Sequence, residues 1–279
     1  MNKRDKMNSC KIYCLILLCL IGMMACDRNE ELGGRFTYED GVGGLDLSTA
    51  VAEQQTVSII TKAADFSGID AKNFYVAIKN QETGELVKEF SSFSAMEDAG
   101  LPLLLPIGKY SVIASSFNLQ NKETSEMPYF VDEQDFLIEE KMTTGVSLKC
   151  VYKSIGVELV LSERFAALLK EQPHNYAYEV EVDCAGVSYT FTQEKMPPVY
   201  FMESCEELVV KVRMRLGSSD SWYPTRVYRV KNGDKSPELN DYYIINLDVE
   251  KEPEDSDTGE GDDVPETISL YSKMIQMEN

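Results

Sequence analysis

The sequence predicts an all-β fold, organised as two β-sandwiches in series. Three observations carry the prediction. Apolar residues recur at alternate positions in runs between Leu45 and Val249, the period of a strand with one buried face. Gly, Pro, Asn and Asp interrupt those runs at short intervals, as turns between antiparallel strands require. Only one short segment carries the helical spacing of three and four.

In the first half, Leu45 and Leu47 alternate, then Val57 and Ile59, then Phe74, Val76 and Ile78. After the turn from Asn80 to Gly84 the chain returns through Leu86, Lys88 and Phe90, which makes a hairpin. Pro102 and Pro106 keep Leu103 to Leu105 out of a central strand, because proline cannot donate to a ladder. Pro106-Ile107-Gly108 turns the chain into Tyr110, Val112 and Ala114, and Val146, Leu148, Cys150 and Tyr152 close the half on one face.

The second half repeats the style without a sequence repeat. Ile155, Val157, Leu159 and Leu161 alternate up to Ser162, a helix N-cap. Phe165, Leu168 and Leu169 then sit at helical spacing, and Pro173 prevents extension. Tyr176, Tyr178, Val180, Val182 and Cys184 alternate into Ala185-Gly186, and Val187, Tyr189 and Phe191 come back as a second hairpin. Leu208, Val210, Val212, Met214 and Leu216 form the clearest strand, with Lys211, Arg213 and Arg215 on its opposite face. Val227 to Val230, a turn at Asn232-Gly233, and Tyr242 to Val249 complete the set. Strands of this number and spacing suit sandwiches of immunoglobulin or transthyretin type, at residues 44–152 and 153–250, the second with one short helix.

The ends are different in kind. Lys3, Arg4, Lys6 and Lys11 precede a short apolar run, Ile12 to Met24, that stops at Ala25-Cys26. A run of about thirteen apolar residues falls short of the roughly twenty that span a bilayer as a helix, so residues 1–25 read as a cleaved signal peptide. The Cys26 thiol is the expected lipidation site, and residues 26–43 are a tether. Residues 251–267 are dominated by Glu and Asp with Pro253, Gly259, Gly261 and Pro265, and read as a disordered acidic linker. The tail, 268–279, regains apolar side chains; it is either a frayed terminus or a strand that can join a neighbour's open sheet edge.

Composition narrows the function. Removing residues 1–25 takes away four basic residues and Asp5, so the net charge moves from −20 to −23. So acidic a chain repels nucleic acid, whose binding rewards clustered Lys and Arg. Of the seven cysteines, Cys10, Cys14 and Cys19 leave with the signal and Cys26 takes the lipid. Cys150 and Cys184 fall on apolar strand faces as small buried hydrophobes, which leaves a bridge involving Cys205, or a reactive thiol, as the alternative.

The search for chemistry gives little. The only histidine, His174, lies in a loop with no nucleophile motif, and no Cys-x-x-Cys or His-x-x-x-His spacing suggests a metal. Gly41, Gly43 and Gly44 precede a strand and so lack the helix amino terminus of a phosphate loop. The carboxylates from Asp255 to Asp263 are in the wrong order for an EF-hand. Neither an enzyme nor a cofactor or metal is expected. Trp222, the only tryptophan, with Tyr223 beside it, is the candidate ligand-binding pair: exposed rings at a sandwich end can stack on the apolar face of a sugar, or else cover the core beneath.

Several segments together resemble a known family. They are Gly44-Leu45-Asp46-Leu47, Asn73 to Ile78, Leu105 to Ala114 around Gly108-Lys109-Tyr110, Met127-Pro128-Tyr129-Phe130, and Val146 to Cys150 followed by Ile155 to Leu159 and Phe165. With the Cys26 signal they resemble a Bacteroidetes lipoprotein family of unknown function, the domain of unknown function numbered four-four-nine-three. The layout is more distantly similar to fimbrillin-type lipoproteins. Asp27, Glu30 and Glu31 resemble the signal that sends such lipoproteins to the outward face of the outer membrane. The resemblance implies a fold and a location, and no activity. The expected function is a non-catalytic, lipid-anchored adhesin or fimbria-like structural or accessory subunit; the alternative is a glycan-binding lipoprotein of a polysaccharide uptake system. The implied partners are the membrane through Cys26, a protein by strand addition, or a glycan, and not nucleic acid.

Overall fold

Alternation becomes architecture in a computed structural model that describes residues 38–52, 55–56, 66, 68–170, 176–215, 222–231, 235–250 and 267–278, the backbone alone at 55–56, 249–250 and 267–278. The signal peptide, Cys26, Val57, Ile59, His174, Leu216, the Asn232-Gly233 turn and the acidic linker lie outside the described residues. The strands, in chain order, are β1 (Val42–Val51), β2 (Gln55–Thr56), β3 (Tyr75–Asn80), β4 (Leu86–Phe90), β5 (Leu103–Pro106), β6 (Gly108–Ser115), β7 (Thr124–Ser125), β8 (Phe130–Ile138) and β9 (Thr143–Tyr152) in the first half. The second half contributes β10 (Ile155–Leu161), β11 (Ala177–Cys184), β12 (Val187–Thr192), β13 (Val199–Phe201), β14 (Leu208–Arg215), β15 (Arg226–Val230), β16 (Asp241–Glu250) and β17 (Thr267–Glu278).

The all-β prediction holds, and the two halves repeat one strand order. In the first, a seven-stranded sheet runs β4-β3-β6-β8-β9-β1-β5. Its β8 and β9 meet at only two residue pairs, Phe130 with Tyr152 and Val131 with Val151, so the sheet folds into two layers there. The second half has the same order in two pieces, β12-β11-β14-β15 and β16-β10-β13. In each half the first strand lies in parallel beside a late one: β1 with β9 over eight pairs, β10 with β16 over six. The antiparallel expectation fails at these two ladders, because period two reports which face is buried and not which way the neighbour runs. Leu103 to Leu105 form part of β5, an edge strand on β1, as the flanking prolines require.

Local chemistry explains the turns and helices. Between β11 and β12 only Ala185 and Gly186 intervene, both with positive φ (55° and 86°), the two-residue turn whose twist matches a hairpin. Ser162 caps the helix Glu163–Leu168, its Oγ accepting from the Phe165 amide at 3.0 Å, and Phe165 is fully buried. A second helix, Phe93–Ala99, escaped the expectation of a single one. Ser92 accepts from the Ala95 amide at 3.1 Å, Gly100 ends the helix at φ 100°, and Phe93 and Met96 enter the core. Two apolar positions are too few to stand out as a period.

The two cores share a wall. Leu45, Leu47, Val76, Ile78, Val112, Ala114, Leu148 and Cys150 build the first, and Val157, Val180, Val182, Phe191, Val210, Val212 and Met214 the second. β16 belongs to both: Tyr242 and Ile244 face the first core, Tyr243, Ile245 and Leu247 the second. β13 does likewise, Tyr200 to one side, Val199 and Phe201 to the other. The ring of Phe66 lies 5.2 Å from Tyr152 and 6.4 Å from Tyr242, and Tyr200 stands 6.3 Å from each of those tyrosines, so an aromatic cluster seals the junction. β7 of the first half also pairs with β13.

The tail is a strand of its own sheet. β17 pairs antiparallel with β16 over ten register positions, and its far end meets β2. Frayed it is not, and its partner here is the chain's own edge.

Candidate functional site

The candidate site lies on the solvent face of the sheet β12-β11-β14-β15. Because β11 and β14 alternate strictly, the faces opposite their buried Val180, Val182, Val210 and Val212 carry Glu179, Glu181, Asp183, Lys211, Arg213 and Arg215, with Ala177 and Val209 as the apolar exceptions. Register does the rest. Glu181 stands opposite Lys211 and Glu179 opposite Arg213 across the β11–β14 ladder. Lys211 Nζ reaches Glu181 Oε1 at 2.6 Å, and the Arg213 guanidinium donates to Glu179 Oε2 through Nε at 2.6 Å and also through a terminal nitrogen. The hydrogen bond and charge of Glu181 push the Lys211 pKa up.

These four side chains, with Thr190 and Thr225, line a depression of about 230 Å³. Trp222 flanks it. Its ring lies over the guanidinium of Arg213 at 4.8 Å and over that of Arg215 at 5.7 Å. The Tyr223 amide donates to the Met214 carbonyl at 2.8 Å, which pins the aromatic pair to the end of β14. Trp222 and Tyr223 remain 37% and 42% exposed, so each ring offers surface to a ligand. Chemically the depression is a ladder of paired charges and hydroxyls beside an aromatic ring; it can hydrogen-bond a polyhydroxylated ligand and stack against it, and it presents no nucleophile poised beside a base.

The sequence named Trp222 and Tyr223 as the candidate pair and Lys211, Arg213 and Arg215 only as the polar face of a strand, and the structure brings Trp222 onto Arg213 and Arg215. It missed Glu179, Glu181, Thr190 and Thr225. The signal was present in Glu179-x-Glu181-x-Asp183, acids alternating against Tyr178, Val180 and Val182. Among the described residues no group of three or more His, Cys, Asp or Glu side chains converges on a metal position, and no helix is long and apolar enough to cross a membrane. The three described cysteines are buried.

Comparison with known proteins adds a family. The family described as Domain of unknown function (DUF4493) matches residues 41–270. No curated protein sequence matches. The structure is similar to that of a candidate cell adhesion protein from Bacteroides eggerthii, at 12% identity, covering 88% of this chain and 98% of that one with a TM-score of 0.41. A candidate cell adhesion protein from Bacteroides uniformis is similar at 9% identity, 85% and 99% coverage and a TM-score of 0.45. Candidate polysaccharide binding proteins (DUF1812) from Bacteroides thetaiotaomicron are similar at 8% identity, 74% and 92% coverage and a TM-score of 0.40.

Proposed function

This chain belongs to the family Domain of unknown function (DUF4493), and from that footing we propose that it is a non-catalytic cell-surface protein, lipid-anchored at Cys26 to the outer membrane, working in adhesion as a fimbria-like structural or accessory subunit. The observation that carries the reading is β17. It follows residues 251–266, half of which are Asp or Glu, and covers the edge of β16 by backbone pairing along its length. A strand hung on so polar a connection can leave its own sheet and pair with the β16 of a second subunit, and the edge it uncovers is a template for a further strand. The full chain, run unheated on a denaturing gel, is expected to show a ladder of oligomers that collapses to monomer on deleting residues 268–279. A ladder that persists after the deletion, or monomer alone in the intact chain, counts against the reading.

A second reading, a glycan-binding lipoprotein of a polysaccharide uptake system, is favoured by the depression beside Trp222. Its volume suits a single sugar ring better than a drug-sized ligand, whose pockets run from about 300 Å³ upward. Trp222→Ala is expected to weaken glycan-array binding at least tenfold, the loss of roughly 1.4 kcal/mol that removal of a stacking ring brings. Unchanged binding removes the depression from the glycan account.

A further inference from the structure

We propose that Cys184 and Cys205 are joined by a disulfide in the exported protein. Cys184 is the last residue of β11, 2% exposed, and Cys205 lies between β13 and β14, 8% exposed. Both belong to the second core. The Cys184 thiol reaches the carbonyl of Glu203, two residues before Cys205, at 3.5 Å, so the end of β11 and the segment after β13 lie side by side. Each thiol is also the largest influence on the other's pKa, as for two side chains close together in one core. Thiols buried in one core on two neighbouring backbone segments need little movement to bond. Cys150 supplies the contrast: it sits in the first core and donates to the Ala114 carbonyl at 3.5 Å, with no cysteine beside it.

The bond forms by exchange. One cysteine, as a thiolate, displaces one sulfur of the disulfide of an exported thiol oxidase, or of a small-molecule disulfide, and forms a mixed disulfide while a thiolate leaves. The other cysteine then loses its proton and attacks the first cysteine's sulfur, releasing the second thiolate. Two protein thiols lose two protons and two electrons, and the oxidant's disulfide becomes two thiols. Burial of both sulfurs sets the timing, before the segment between β13 and β14 has closed over β11. The bond ties the turn end of the β11–β12 hairpin to the segment that follows β13, and so braces the second core from within.

The inference rests on export, since cytoplasmic thiols stay reduced. Full-length protein is taken from acid-quenched cells, blocked with N-ethylmaleimide under denaturing conditions, and mapped by peptide mass spectrometry. The expected result is a cross-linked peptide pair joining Cys184 to Cys205, two hydrogens lighter than the separate thiol peptides, with Cys150 alkylated. Free thiols at both positions in protein that fractionates with the cell envelope overturn the proposal. Free thiols in protein that stays in the cytoplasm overturn it too, and the fraction shows that export failed first. As a second readout, reductant is expected to lower the wild-type Tm by roughly 5 °C and to leave that of the Cys184→Ala, Cys205→Ala double variant unmoved. Equal response in both chains also overturns the proposal.

Discussion

At the scale of single residues a tight constraint falls on Gly156, the second residue of β10. A methyl group there would run into the Tyr242 ring and stand 2.8 Å from the Tyr152 hydroxyl, both belonging to the aromatic cluster at the junction. Neither ring can retreat, because Tyr152 is fully buried and Tyr242 is 2% exposed. The Tyr242 hydroxyl is further tied to Glu158 Oε2 at 3.0 Å. Gly156→Ala is expected to cost about 2–3 kcal/mol by overpacking, read as a lowered midpoint in urea denaturation. Gly186→Ala provides the comparison. A methyl group there meets only open space, so its cost is that of a positive φ alone, about 1 kcal/mol.

At the scale of elements, the helix Glu163–Leu168 depends on its cap. Its six residues are too few to be stable alone, so tertiary contacts of Phe165 and the Ser162 side chain hold it. Ser162 does two things, accepting from the Phe165 amide and donating to Asp248 Oδ1. Ser162→Ala is expected to lower stability by about 1 kcal/mol, and Ser162→Asp by more, since a carboxylate can cap but meets Asp248; thermal melts of the three chains test the order. That helix was legible because Ser162, Phe165 and Leu168 announce it. The helix Phe93–Ala99 was not, although Ser92 and Gly100 bracket it, because about two turns with two buried apolar residues look like any loop. Strand faces were legible throughout, as in Tyr178, Val180 and Val182. Strand partners were not: nothing local to Leu45 or Leu148 says that β1 runs parallel to β9. The same limit applies at the candidate site, where the sequence shows charges on one face of β14 but only the β11 register sets Glu179 against Arg213 and Glu181 against Lys211.

At the scale of the whole molecule, β16 and β13 divide their side chains between two cores, so neither half can lose its packing without unroofing the other. The tyrosines of that wall make the coupling measurable. Burial pushes Tyr200 up to about 12, and it raises Tyr152, Tyr242 and Tyr243 well above the ordinary phenol value, with Glu158 and Asp241 adding charge repulsion at Tyr242 and Tyr243. For an acid whose folded pKa lies above its unfolded one, the stabilisation is complete below the unfolded value and is lost as pH climbs toward the folded value. Here the unfolded phenol titrates near 10, so stability is expected to hold to about pH 10 and then fall by roughly 1.4 kcal/mol per pH unit for each such tyrosine. With several acting together the fall is steep, and the shared wall forces it on both halves at once. Phenolate absorbance at 295 nm should therefore rise in two stages, first for exposed tyrosines, then in one cooperative step that coincides with loss of the β-sheet circular dichroism. A smooth single-stage titration with the sheet signal intact, or two separate unfolding steps, would show that the aromatic junction does not bind the halves into one unit.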